Sequence, residues 1–391
     1  MLSVYIHIPF CIQRCSYCDF ITYAGRQDLI PQYADAVIAE IRSLGAAHRD
    51  EKDTVETVYF GGGTPSLFTP AQVAACLDAI RSGFNLDQDA EITLEANPGT
   101  IQPGFFREIR MAGINRLSLG VQSFVPEELN ILGRIHTVED AYTSIEAARS
   151  AGFGNLNLDL IFGIPGQTLE GWENNLAQAV KLSPEHLSLY SLTLEQGTPL
   201  AMRVQQELIE LPDDDLAADM FELAMEYLRS QGYDHYEISN WAASEARESR
   251  HNKTYWKNWP YLGIGAGAHG CAGGYRTENV GDIPTYIGRI QDQNNCRPYP
   301  FTNANINHIQ LDEITSAQET MLLGLRLVRE GVSCSAFQER YQQELKGVFD
   351  QEINRLFKKQ LVEWVPFPDG EHLRLTHRGI MLGNQAFMEF V

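Results

Sequence analysis

From its first residues to about position 240 the chain repeats one pattern: a short run of β-branched residues, a glycine or proline, then a stretch of helical period. The runs at 4–8, 57–60, 91–95, 116–121, 157–162 and 187–194 read as strands. Helical spacing falls between them, for example over 71–80 after Pro70, over 138–150 and over 171–181. Strands that alternate with helices predict a parallel sheet, because parallel neighbours need a long crossover. Six such units predict an α/β fold built on a partial (β/α)6 TIM-like barrel rather than a closed eight-unit one. Chemistry is then expected just after the C-terminal ends of the strands.

Past 240 the pattern changes. Residues 241–300 hold aromatic clusters and glycine-rich loops, notably HNKTYWKNWPYLGIGAGAHG at 251–270. Residues 301–391 read as mostly helical. Asp312 is placed to cap a helix with Ile314, Ala317, Met321, Leu325 and Val328 on one face and Gly331 as its stop. A further helical stretch to about Lys359 precedes LVEWVPF, the turn Pro368-Asp369-Gly370 and HLRLTH. Helices followed by a hairpin resemble a winged helix. The expected division is a barrel over 1–240, a connecting segment over 241–300 and a C-terminal helical domain over 301–391.

Composition narrows the function. The 391 residues are 44% hydrophobic and 21% charged, ordinary globular usage. The net charge of −21 argues against broad docking on nucleic acid or anionic lipid, including DNA binding by the winged-helix-like end. No apolar run reaches the roughly 20 residues that span a bilayer, and MLSVYIHIPF lacks a basic start, so a cytoplasmic protein without a signal peptide is expected. Seven cysteines are too few for a disulfide scaffold. Cys76, Cys271, Cys296 and Cys334 are scattered singly, whereas Cys11, Cys15 and Cys18 crowd together.

That trio forms a CxxxCxxC directly after the first strand, where three thiolates on one loop can converge on one metal centre. Zinc prefers four ligands, and His7 is the only nearby candidate for a fourth. A 4Fe-4S cluster suits three cysteines, which hold three irons and leave one open. Buried structural thiols are the third reading. Other groups gather at the same rim. Gly61-Gly62-Gly63-Thr64-Pro65 follows the second strand, where missing side chains let backbone N–H groups approach a ligand. Glu95 closes the third strand and offers a carboxylate acceptor. Gln122 ends the fourth. Asp159 sits in the fifth among leucines and needs a partner, for which Arg134 is placed.

The motifs CxxxCxYC, GGGTP and EANP, with VQSF, NLDLIFGIPGQT and HNKTYW, resemble the radical S-adenosylmethionine (SAM) superfamily over nearly the whole chain. YIHIPFCxxxCxYCDF is most similar to relatives of oxygen-independent coproporphyrinogen III oxidase. The resemblance implies that Cys11, Cys15 and Cys18 bind a 4Fe-4S cluster whose open iron SAM chelates. It implies that Tyr5, Tyr17, Gly62, Gly63, Thr64 and Glu95 line SAM, and that Gln122, Arg134 and Asp159 match positions lining a second SAM. The oxidase carries a further cysteine two residues past the third and a long N-terminal extension. Here Cys18-Asp19-Phe20 follows, and Cys11 comes ten residues after the start.

Both departures resemble the HemW-type haem chaperones, which bind haem and deliver it to haemoproteins. Their HNxxYW motif stands here at 251–256, with His251 expected as an axial haem ligand in an outer aromatic pocket and His269 as a second candidate. The resemblance implies haem and recipient haemoproteins as partners, and leaves room for an electron-donor protein, a homodimer and peripheral membrane contact. Two other functions stay open: a true coproporphyrinogen oxidase, and a carrier whose cluster serves only structure.

Overall fold

The computed structural model describes residues 1–48, 53–102, 104–211, 213–292 and 297–391. Cys296 lies outside the described residues. Six parallel strands form the half-barrel: β1 (Leu2–Ile8), β2 (Thr54–Gly62), β3 (Asn85–Ala96), β4 (Arg116–Gln122), β5 (Leu156–Phe162) and β6 (His186–Ser191). Each crossover carries helix: α1 (Ile30–Ala47), α2 (Pro70–Gly83), α3 (Phe105–Ala112), α4 (Pro126–Leu132) with α5 (Val138–Ser150), and α6 (Leu169–Lys181). The expected six-unit barrel is therefore present; β3 begins six residues before its predicted run and β6 ends at Ser191 rather than at 194.

Local chemistry sets the helix starts. Thr69 and Gln72 form a reciprocal capping box at α2, with Pro70 in the first turn, where its missing N–H costs nothing. Thr137 and Asp140 do the same for α5. The strands separate two environments by their period of two. Val4, Ile6, Val58, Phe60, Leu94, Leu117, Leu119, Leu158 and Leu187 face the helices in one continuous core, each worth about 1.5–3 kcal/mol on burial. Their alternates, among them Thr57, Tyr59, Glu91, Glu95, Ser118, Asn157, Asp159, His186 and Ser188, face the lumen, which is therefore polar.

The sheet does not stop at residue 240. After α7 (Pro199–Gln205) and α8 (Asp214–Ser230) come β7 (Asp234–Glu237), β8 (Asn240–Ala242), the short helix α9 (Arg250–Trp256), β9 (Tyr261–Ile264), β10 (His269–Ala272), β11 (Tyr275–Asn279), α10 (Ile283–Gln291) and β12 (Asn305–Gln310). The twelve strands run in the order β12-β11-β10-β9-β1-β2-β3-β4-β5-β6-β8-β7, with β9 parallel to β1. Glu40 of α1 ties this extension down. Fully buried, it accepts hydrogen bonds from Gly265 N, Asn279 Nδ2, Tyr286 Oη and Thr302 Oγ1 at 2.6–3.0 Å.

A second core, including Met321, Phe337, Leu356, Leu373 and Phe387, belongs to the C-terminal unit. Asp312 caps α11 (Glu313–Gly324) as expected, accepting from Thr315 N. The helix ends at Gly324 rather than running to Gly331, and Ile314 is exposed rather than on the buried face. The stretch up to Lys359 breaks into three helices, Cys334–Tyr341, Leu345–Val348 and Asp350–Lys358. The predicted hairpin is Val362–Phe367 paired with Gly370–Leu375, and Val332–Ser333 completes a three-stranded sheet. Among the described residues no helix is long and apolar enough to cross a membrane.

Candidate functional site

The loop after β1 is closed at its neck by Phe10–Cys11 pairing with Tyr23–Ala24. Ser16 pins its tip to the end of α4, its N–H and hydroxyl donating to the carbonyls of Leu132 (3.0 Å) and Ile131 (2.8 Å). Cys11 is buried, while Cys15 and Cys18 are half-exposed. All three line one cavity of about 410 Å³ at the C-terminal mouth of the half-barrel, together with Tyr17, Gly62, Gly63, Thr64, Glu95, Gln122, Arg134 and Asp159. Eleven of the residues that the resemblance implies for the cluster and SAM thus share one pocket.

Hydrogen bonds connect two of the sulfurs. Arg134 donates to Cys15 Sγ (3.3 Å), Asn97 Oδ1 (2.6 Å) and the Gly120 carbonyl (2.9 Å). Asn97 Nδ2 donates to Thr64 Oγ1 (2.8 Å), which donates to Cys11 Sγ (3.8 Å). Arg134 is therefore not the partner of Asp159. That carboxylate accepts instead from Ser118 Oγ (3.0 Å) and Asn157 Nδ2 (2.8 Å), and burial raises its pKa. Glu95 accepts from Tyr59 Oη (2.8 Å) and Gly62 N (3.1 Å). Burial is the main cause pushing its carboxyl up to about 7.

The glycine run works by clearance. Gly62 N is spent on Glu95, and Gly63 N donates to the Ile8 carbonyl (2.9 Å), so these N–H groups are not free for a ligand as expected. A Cβ at Gly63 would stand 2.6 Å from the Phe10 carbonyl oxygen and 3.0 Å from Cys11 Sγ, and Gly62 holds a φ of +116° against the His7 ring. Any side chain there would push the cysteine loop off the sheet.

His7 bonds through both nitrogens, to Tyr5 Oη (2.9 Å) and the Ile21 carbonyl (3.0 Å), which removes the fourth zinc ligand. Among the described residues no three His, Cys, Asp or Glu side chains are gathered to hold one metal ion. Three cysteines lining one pocket with His7 engaged elsewhere suit a three-cysteine cluster better than a zinc ion, which takes four ligands. The buried Gln122 side-chain oxygen and Arg134 Nε lack partners there, so polar capacity is left for a ligand. Gln122 also holds a φ of +66°, rare outside glycine.

Two expected residues lie elsewhere. Tyr5 is not on the pocket wall; it stands behind it, its ring 6.2 Å from that of Tyr59. His251 corrects the outer-pocket expectation outright. It is 1% exposed, at the opposite end of the barrel, with Nδ1 bonded to Thr57 Oγ1 (2.6 Å) and Nε2 to Tyr255 Oη (2.8 Å). Burial pushes its pKa down to about 3, so the ring is neutral with both nitrogens engaged. The HNxxYW helix α9 forms the barrel floor: Glu91 accepts from the backbone N–H of Arg250 (3.2 Å) and His251 (3.0 Å), and Thr254 meets Ser3 (2.9 Å). His269, by contrast, is exposed at the start of β10.

Asn97, Tyr59, Ser118 and Tyr190 belong to the pocket and were not singled out. Asn97 lies within EANP. Tyr59 is two residues before Gly61, so strand period alone puts it on the lumen side.

Comparison with known proteins places this geometry. Residues 5–179 match the Radical SAM superfamily and residues 311–382 the HemN C-terminal domain. The chain is 38% identical to "Heme chaperone HemW" of Bacillus subtilis, covering 100% of this chain and 99% of that one. It is 42% identical to the protein of that name from Escherichia coli over 69% of this chain and 70% of the other. The solved structure of coproporphyrinogen III oxidase (HemN) from Escherichia coli superposes with a TM-score of 0.82 at 25% identity, covering 100% of this chain and 89% of that one.

Proposed function

The chain belongs to the heme chaperone HemW family, and from that premise we propose that it binds haem and delivers it to haemoproteins, carrying a 4Fe-4S cluster and SAM at the barrel mouth. The observation that supports the cofactor part is the shared pocket of Cys11, Cys15, Cys18 and Glu95. The three cysteines would hold three irons. Glu95, steadied by Tyr59 and Gly62, is the acceptor for a SAM amino group, while Tyr17, Thr64, Gln122 and Asp159 complete the walls. A cation beside Glu95 favours its ionised form, so SAM binding and proton release are coupled. When bound, the cluster supplies one-electron reduction of the SAM sulfonium. Arg134 holds Cys15 and, through Asn97 and Thr64, Cys11, keeping the loop in place.

Charge argues against the oxidase. The pocket's ionisable walls are Arg14 and Arg134 against Asp19, Glu95, Asp159 and Glu195. That excess of carboxylates repels a porphyrinogen rich in propionates and attracts cationic SAM. The net charge of −21 also favours recipients with a basic face.

Anaerobic reconstitution tests the proposal. The reconstituted chain should hold about four irons, which the three cysteine-to-alanine changes together abolish, and should bind ferric protoporphyrin IX. Supplied with coproporphyrinogen III, SAM and a reductant, it should yield no decarboxylated porphyrinogen. Catalytic turnover to that product, or the absence of haem binding, would overturn the carrier reading.

A further inference from the structure

With His251 in the barrel floor, the iron of a bound haem needs another ligand. The ligand required is a neutral imidazole that reaches solvent beside apolar surface. The chain has ten histidines. His7, His48, His136, His186, His235, His251 and His372 are withdrawn from solvent and hydrogen-bonded through ring nitrogens. Exposed imidazoles remain at His269, His308 and His377.

These three differ in their surroundings. His308 lies on β12, the last strand of the twelve, whose outer side pairs with no other strand among the described residues. Its ring centroid is 5.1 Å from that of Phe301 at 64° and 6.3 Å from that of Tyr275, and those two rings meet edge-to-face at 4.9 Å. Among the described residues no aromatic ring stands against His269 or His377. An imidazole braced by two aromatic rings offers an iron donor and an apolar bed for one face of a macrocycle.

Resting on the haem-carrier reading above, we infer that His308 is an axial ligand of the carried haem, seated on Phe301 and Tyr275 at the rim of the sheet. The step is a reversible coordination bond: the imidazole nitrogen lone pair enters the open axial position of iron, and a recipient's ligand displaces it. No electron or proton need move. A rim strand suits that exchange, because a recipient can reach the iron without opening the barrel.

The test titrates ferric protoporphyrin IX into the full-length chain and its variants, with circular dichroism as the check on folding. His308→Ala, on an exposed edge strand, should weaken binding about tenfold or more and move the Soret band, and added free imidazole should restore the band. Phe301→Ala should weaken binding while leaving the band of the bound form in place, and His269→Ala should behave as the wild type. A wild-type Soret position and affinity in His308→Ala would overturn the assignment, as would a loss that follows His269→Ala. If the wild-type chain binds no haem, the carrier reading fails first and takes this ligand with it.

Discussion

His251 shows how a residue acquires weight from its surroundings rather than its chemistry. Both ring nitrogens bridge hydroxyls, Thr57 from β2 and Tyr255 from its own helix, and the Tyr59 ring stacks on it at 4.9 Å. Replacing it with alanine strands a hydroxyl on each side and leaves a void, a loss of about 2–4 kcal/mol. His251→Ala should therefore lower the urea midpoint without changing the Soret position of bound haem; an unchanged midpoint would show that the floor contact carries nothing. From the sequence, HNxxYW reads as a ligand motif only through the family resemblance, because histidine, tyrosine and tryptophan serve haem and packing equally. Nothing local distinguishes a mouth residue from a floor residue. Arg134 misled for a related reason: its partner is chosen by where α4 sets its backbone, and Asp159 had nearer donors in Ser118 and Asn157.

At the scale of elements, the strands and the cysteine loop were readable because their signals are short in range: β-branched runs of period two, and three cysteines within eight residues. What escaped was which elements meet far along the chain. Strands β9 to β12 join the sheet beside β1, a pairing of residues about 258 apart that leaves no mark in either segment. The short α9 depends on such a meeting. At seven residues it is marginal alone, and Glu91 on β3 supplies the acceptor for two of its first N–H groups while its charge faces the positive helix end. Glu91→Gln keeps one acceptor and removes the charge, so unfolding free energy should fall by about 1–2 kcal/mol, read from denaturation curves. Equal curves for the two proteins would mean that packing alone holds the helix.

For the whole molecule, buried titratable groups set opposing pH limits. Burial holds His136 and His235 down to about 4 and His251 to about 3. Such rings stabilise the fold above their unfolded value of about 6.5 and lose that contribution as pH falls towards 4 and then 3. Burial likewise lifts Glu95 to about 7 and Glu237 to about 8. These carboxyls stabilise fully below their unfolded value of about 4.3, and the contribution disappears as pH rises through 7 and 8. With the histidines already neutral in both states above about pH 6.5, the cofactor-free chain should lose stability from there to about pH 8 and then level off, and Glu237→Gln should flatten that decline; a variant as steep as the wild type would rule Glu237 out as its source. Glu237 sits where the two cores meet, near Arg326, which also stacks on Trp256 (5.3 Å) and Phe387 (4.4 Å). Lys253 and Lys257, at the end of α9, reach Glu330 of the C-terminal unit (3.5 and 3.3 Å). A premature stop codon after β12 would spare every residue of the cofactor pocket, yet strip the clamp from beneath the barrel floor. In genetic terms the last eighty positions are no appendage: lesions there should phenocopy loss of the cysteines while leaving the cysteines intact.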